Sequence, residues 1–152
     1  MPFSLELTSA QHDLVERTHR FAEEVVRPVA AQYDREEEFP WPVLERNGLT
    51  LQDFDFYEIH EAFAAQVAFT LKAWESREFC RERLGLDDAL GSIDRSKLNV
   101  SGGSLAAGHP FAATGGRIVA TLAKLLAERG SGRGLVSICA AGGQGVVAVM
   151  EK

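Results

Sequence analysis

The chain has 152 residues, 45% of them hydrophobic and 25% charged, with 16 Lys+Arg against 22 Asp+Glu and a net charge of −6. This composition is that of a globular chain long enough for about one domain, and it excludes general disorder. The acidic balance argues against a nucleic-acid surface, and no apolar run approaches the roughly 20 residues of a membrane span.

The opening Met1–Glu6 lacks the basic-then-apolar plan of a signal peptide. Two cysteines, Cys80 and Cys139, make no disulfide framework, so a cytoplasmic setting is expected. No glycine precedes Gly48, whereas 11 of the 14 fall between Gly102 and Gly145. Residues 1–46 hold 5 basic and 10 acidic side chains, against 11 and 12 in the remainder. A seam near Arg46–Thr50 follows, with domains at 1–46 and 47–152.

Thr8-Ser9-Ala10-Gln11 has the spacing of a capping box and opens a helix. Leu14, Thr18, Phe21, Val25 and Val29 make its apolar stripe, and Pro28 ends or kinks it. A turn at 36–42 and a short second helix at 43–46 are expected next. Phe54–Ile59 reads as a strand leading directly into a helix over about Glu61–Ser76. One helical turn is expected around Phe79–Leu84, and a short strand at Leu98–Val100 before a glycine-rich loop, Ser101–Gly108. Pro110 fits the first position of a strong helix that buries Ile118, Val119, Leu122, Leu125 and Leu126. Leu135–Cys139 and Val146–Met150 form a closing antiparallel hairpin. The resulting order, βαβαββ, predicts an α/β layered unit with a mixed sheet and an N-terminal helical arm.

Three clusters could carry chemistry. His60-Glu61-Ala62-Phe63 stands where a strand gives way to a helix, the place where side chains line ligand crevices in α/β proteins. A histidine there is either a crevice residue or a structural one. Gly102–Pro110, followed by Thr114-Gly115-Gly116, lets backbone approach a ligand before a helix N-terminus, or is a plain tight turn. It carries His109, and no Gly-Lys-Ser/Thr follows it as in a phosphate loop. Cys139-Ala140-Ala141-Gly142-Gly143 ends an apolar strand at a turn whose N–H groups could hold an oxyanion, or is an inert core thiol at a hairpin. The histidines and cysteines lack the short paired spacing of a zinc site.

Together, His60-Glu61-Ala62-Phe63, Gly108-His109-Pro110 with Thr114-Gly115, and Cys139–Gly143 resemble, in order, three signatures of the C-terminal half of a thiolase, most closely the fatty-acid-oxidation trifunctional type. The resemblance covers about residues 47–152. It implies acyl transfer between 3-ketoacyl-CoA and CoA, with no flavin or metal cofactor. By the same resemblance His109 activates an acylating cysteine and helps polarise the thioester oxygen. His60 fixes a water or donor at that oxyanion site, and Cys139 moves a proton at the α-carbon or to the CoA thiol. The N–H of Ala141, with Gly142 and Gly108 nearby, serves oxyanion or substrate binding. The family's acylating cysteine belongs to the N-terminal half, and Cys80 fits no nucleophile motif, so full turnover is not expected from these residues alone. Partners implied are acyl-CoA or CoA and either a second copy or a thiolase-type subunit, with no nucleic acid.

Residues 1–46 resemble another family. Leu7-Thr8 with Gln11, Arg20–Pro28, Tyr33-Asp34 and Phe39-Pro40 are similar to the opening helices of an acyl-CoA dehydrogenase. That family's flavin site and catalytic base lie in later domains, so no dehydrogenase activity is implied. The two resemblances meet near Leu44–Leu49, which implies a fused or recombined frame. The alternative reading is a non-catalytic association module or a fusion remnant.

Overall fold

The computed structural model describes residues 8–21, 23–24, 27–28 and 48–152. By its internal contacts the chain divides into Met1–Leu49 and Thr50–Lys152.

In the first unit, α1 spans Ser9–Phe21. The capping box forms: the Thr8 N–H donates to Gln11 Oε1 at 2.8 Å, and the Gln11 N–H donates to Thr8 Oγ1 at 3.3 Å. Leu14, on the apolar stripe, is 61% exposed. Arg27 and Pro28 are helical. Val25, Val29, the turn at 36–42 and the second helix at 43–46 lie outside the described residues.

The second unit holds a mixed sheet of three strands in the order β1-β2-β3. These are β1 (Phe56–Ile59), β2 (Arg133–Ala140) and β3 (Gln144–Glu151). β1 runs parallel to β2, with Phe56 opposite Gly134 and Ile59 opposite Ser137. β2 and β3 form the expected hairpin, in register from Arg133 opposite Glu151 to Ala140 opposite Gln144. An Arg133–Glu151 ion pair of 3.1 Å closes its open end.

Four α-helices separate β1 from β2: α2 (Ala64–Glu75), α3 (Arg77–Leu84), the single turn α4 (Ser104–Ala107) and α5 (Thr114–Arg129). α3 is cleanly bounded. Ser76 Oγ accepts the Phe79 N–H at its start, and Gly85 ends it with a φ of 66° that a side chain would resist. α5 packs on all three strands. Its Ile118, Leu122 and Leu126 form a core with Val136, supported by Phe56, Ile138, Ala148 and Met150. These are the alternate positions of each strand that face one side of the sheet.

Several expectations need correction. The helix expected from Glu61 begins at Ala64, because the His60 N–H still belongs to the sheet, bonding Ser137 O at 2.8 Å, and Phe63 is extended. The helix expected at Pro110 begins at Thr114, since Ala112 in between is left-handed, φ 65°, and interrupts a helical run. Within α5, Val119 is 40% exposed and Leu125 half-buried, because a three-stranded sheet covers only the row at four-residue steps. The strand expected at Leu98–Val100 is a single parallel bridge from Leu98 to Tyr57.

Asn99 replaces the missing strand. Its Oδ1 accepts the Ile59 N–H at 2.9 Å, and its Nδ2 donates to Ile59 O at 2.9 Å. One amide side chain thus satisfies both polar groups of a buried edge residue, as a neighbouring strand would. The left-handed backbone of Asn99, φ 47°, turns the chain away so that no strand continues.

Candidate functional site

His60 follows the last residue of β1 and is 3% exposed. The parallel register brings it beside the end of β2, where Cys139 lies. His60 Nδ1 is 3.2 Å from the Cys139 carbonyl oxygen and 3.5 Å from Cys139 Sγ. A carbonyl only accepts, so Nδ1 carries the proton and its N–H is shared between oxygen and sulfur. Nε2 is then the acceptor of the ring. It is buried and has no hydrogen-bond partner among the described residues.

His109 arrives from the glycine-rich segment. Its ring lies against that of His60, centroids 4.4 Å apart, and meets the edge of Phe111 at 5.0 Å. His109 Nδ1 is 2.7 Å from Thr114 Oγ1 at the start of α5. The loop that carries it is clamped from the other side. Glu61 accepts the Asn99 amide at 2.8 Å and the Leu105 N–H at 3.1 Å. The Glu61 carboxylate occupies the space that a Cβ on Gly103 would need, so only glycine admits the clamp.

His60, His109 and Cys139 therefore converge, from a strand end, a loop and a second strand end. Ala141 and Gly142 lie next to them in chain order, exposed in the three-residue connection between β2 and β3. Gly142 and Gly143, with φ of 82° and 77°, allow that tight return. The Gly108 N–H is committed to Ser104 O at 2.8 Å, so Gly108 contributes the turn (φ 87°) that delivers His109. Cys80, read as incidental, is fully buried in α3, and its thiol points at the Ala73 carbonyl. Among the described residues no three His, Cys, Asp or Glu side chains could hold a metal ion together.

The sequence reading gave no role to Glu58, Asn99, Glu61, Thr114 or Arg117. Glu58 is 1% exposed beneath α5, and its Oε1 has no partner among the described residues. Burial pushes its carboxyl up to about 7, against the lowering pull of Arg117, while Glu61 adds to the rise. Arg117 turns its Nη2 to Ser104 Oγ at 2.9 Å. An acid inside the apolar run Phe56–Ile59 was the available signal for this pair.

The thiolase C-terminal domain family matches residues 17–152. That span includes residues 17–46. The 3-ketoacyl-CoA thiolase of Aeromonas salmonicida is 53% identical over 108 residues, covering 71% of this chain and 25% of that protein. The 3-ketoacyl-CoA thiolase of Colwellia psychrerythraea is 51% identical over the same length. Among solved structures, an acetyl-CoA acetyltransferase from Bacillus anthracis superposes with a TM-score of 0.52 at 37% identity, over 71% of this chain and 23% of that one. The chain thus spans about a quarter of the length of the relatives it matches.

Proposed function

Because this chain belongs to the thiolase C-terminal-domain family, we propose that it supplies the His60–His109–Cys139 part of an acyl-transfer site for 3-ketoacyl-CoA, completed by an acylating cysteine from another segment or chain. The convergence of two imidazoles and a thiol at the ends of adjacent strands carries this reading. In it, His109 takes the proton of the acylating thiol, whose sulfur attacks the keto carbon. The bond from that carbon to the α-carbon breaks, and its electron pair leaves on the α-carbon as the enolate of acetyl-CoA. Cys139 gives that carbon a proton. Cys139 then regains one from the CoA thiol, whose sulfur attacks the acyl-enzyme and expels the acylating thiolate, reprotonated from His109. A water or donor fixed by His60, and the N–H of Ala141, stabilise the oxyanions that form on the way. No flavin or metal takes part, and residues 1–46, with their likeness to an acyl-CoA dehydrogenase, add no chemistry of their own.

A second reading, a non-catalytic association module, is favoured by the apolar surface of β3, where Val146, Val147 and Val149 are exposed, and by Phe111, 86% exposed. Thiolysis of 3-ketoacyl-CoA across acyl lengths separates the two readings, measured with the chain alone and mixed with a separately produced thiolase N-terminal half. Turnover on mixing, abolished by Cys139→Ala, is expected. Turnover by the chain alone would overturn the need for an outside nucleophile. Silence in both, with concentration-dependent self-association, would leave the association module.

A further inference from the structure

We propose that Thr114 is a positioning residue that holds His109 in its Nδ1–H tautomer, leaving Nε2 as the basic atom of the ring. One hydroxyl hydrogen and its two neighbours decide the tautomer. Thr114 Oγ1 lies 3.1 Å from the Pro110 carbonyl oxygen and 2.7 Å from His109 Nδ1. The carbonyl can only accept, so the hydroxyl hydrogen goes to Pro110 O, the usual bond of a helical threonine to the residue four back. The oxygen that remains is an acceptor, and Nδ1 must therefore carry a proton to meet it. In the opposite arrangement the hydroxyl would donate to Nδ1, and two lone-pair-bearing oxygens would face each other at 3.1 Å.

The hydroxyl has little freedom to choose otherwise. Thr114 is 3% exposed at the first residue of α5, and the turn before it is pinned by the Ala113 and Thr114 N–H groups on the same carbonyl. Ala112 is drawn into a left-handed conformation, φ 65°, to close that turn. The result is a second imidazole fixed like the first: His60 by the Cys139 carbonyl, His109 by a threonine that a helix has already oriented. A base that must take a proton from an acylating thiol needs an open lone pair on a known nitrogen. The catalytic meaning of the tautomer rests on the proposed acyl transfer, but the tautomer itself does not.

The test is long-range proton–nitrogen NMR on the full chain with nitrogen-15-labelled histidine. In the unsubstituted protein His109 is expected as the Nδ1–H form. Thr114→Val, which keeps the shape and removes the hydroxyl, should move the tautomer ratio about fivefold toward Nε2–H, the factor one ordinary hydrogen bond sustains. Thr114→Ser should restore it. His60, held by a backbone carbonyl, should stay Nδ1–H in all three and so reports that the fold is intact. An Nε2–H His109 in the unsubstituted protein overturns the proposal whether or not the valine variant folds. So does an unchanged ratio in a folded Thr114→Val. Neither outcome depends on turnover, so failure here is distinct from failure of the proposed activity.

Discussion

Glu58→Gln should change how stability responds to pH, with a sign opposite to that of most carboxylates. The carboxyl is 1% exposed, and Arg117, its attractive neighbour, points a nitrogen at Ser104 instead of closing an ion pair. Desolvation therefore outweighs attraction and moves the carboxyl from 4.5 to about 7. Below pH 4.5 it is neutral in the folded and unfolded chains alike. Between 4.5 and about 7 the unfolded chain releases the proton while the folded chain keeps it, so unfolding becomes easier as pH rises. At about 1.4 kcal/mol for each pH unit, the accumulated loss is about 3 kcal/mol. Above about 7 both states are ionised and the loss stays constant.

Asp53 and Asp94 do not mask the effect. Hydrogen bonds from Thr50 and Ser96 hold their carboxyls below 3.8, so their stabilisation is complete above that value and fades only at lower pH. Urea unfolding of the unsubstituted chain and of Glu58→Gln, from about pH 4 to 8, gives two stability curves whose difference isolates the one group. The unsubstituted curve should fall across the window relative to the variant. Parallel curves would refute the reasoning and place the Glu58 carboxyl in water or in an ion pair.

Two further predictions concern the frame that holds the site. A Cβ on Gly134 would meet Leu122, whose Cδ2 and Cγ would lie at 2.8 and 2.9 Å, and Leu122 is fully buried. Gly134→Ala should therefore cost about 2 kcal/mol and Leu122→Ala about 3 kcal/mol in chemical denaturation. The double variant should cost at least about 1 kcal/mol less than their sum, because the new methyl enters the space the leucine vacates; strict additivity would show that α5 does not rest on β2 there. Asn99→Leu should lose about 3 kcal/mol and speed hydrogen exchange at the Ile59 amide, by stripping both backbone partners of Ile59. Asn99→Gly should lose a similar amount although glycine relaxes the φ of 47°; a neutral Asn99→Gly would mean that the two hydrogen bonds contribute nothing.

Much of the second unit was legible in the sequence where a pattern is local. β1, the hairpin and α5 follow from β-branched runs, a Gly-Gly return and four-residue apolar steps, and each appears within a few residues of its expected place. The misplacements share one cause. Helix starts at Glu61 and Pro110 look favourable locally, but in the fold Phe63 is extended and Ala112 is left-handed, φ 65°. A helix cannot run through an extended or a left-handed residue, and those conformations are set by the surrounding fold and not by spacing.

For the site, the sequence by itself determined which side chains could do the chemistry. His60, His109 and Cys139 stand out because imidazoles and a thiol sit beside glycines and strand ends, and their motifs name a family. Only the tertiary structure decided how they stand. Parallel pairing of β1 with β2 brings His60 to the Cys139 carbonyl, 79 positions away in the chain. Glu61 and Asn99 tie the loop down, and Thr114 meets His109. Hydrogen-bond polarity is a relation between groups brought together by folding, so the nitrogen that bears each proton is a property of the assembled structure and not of any segment.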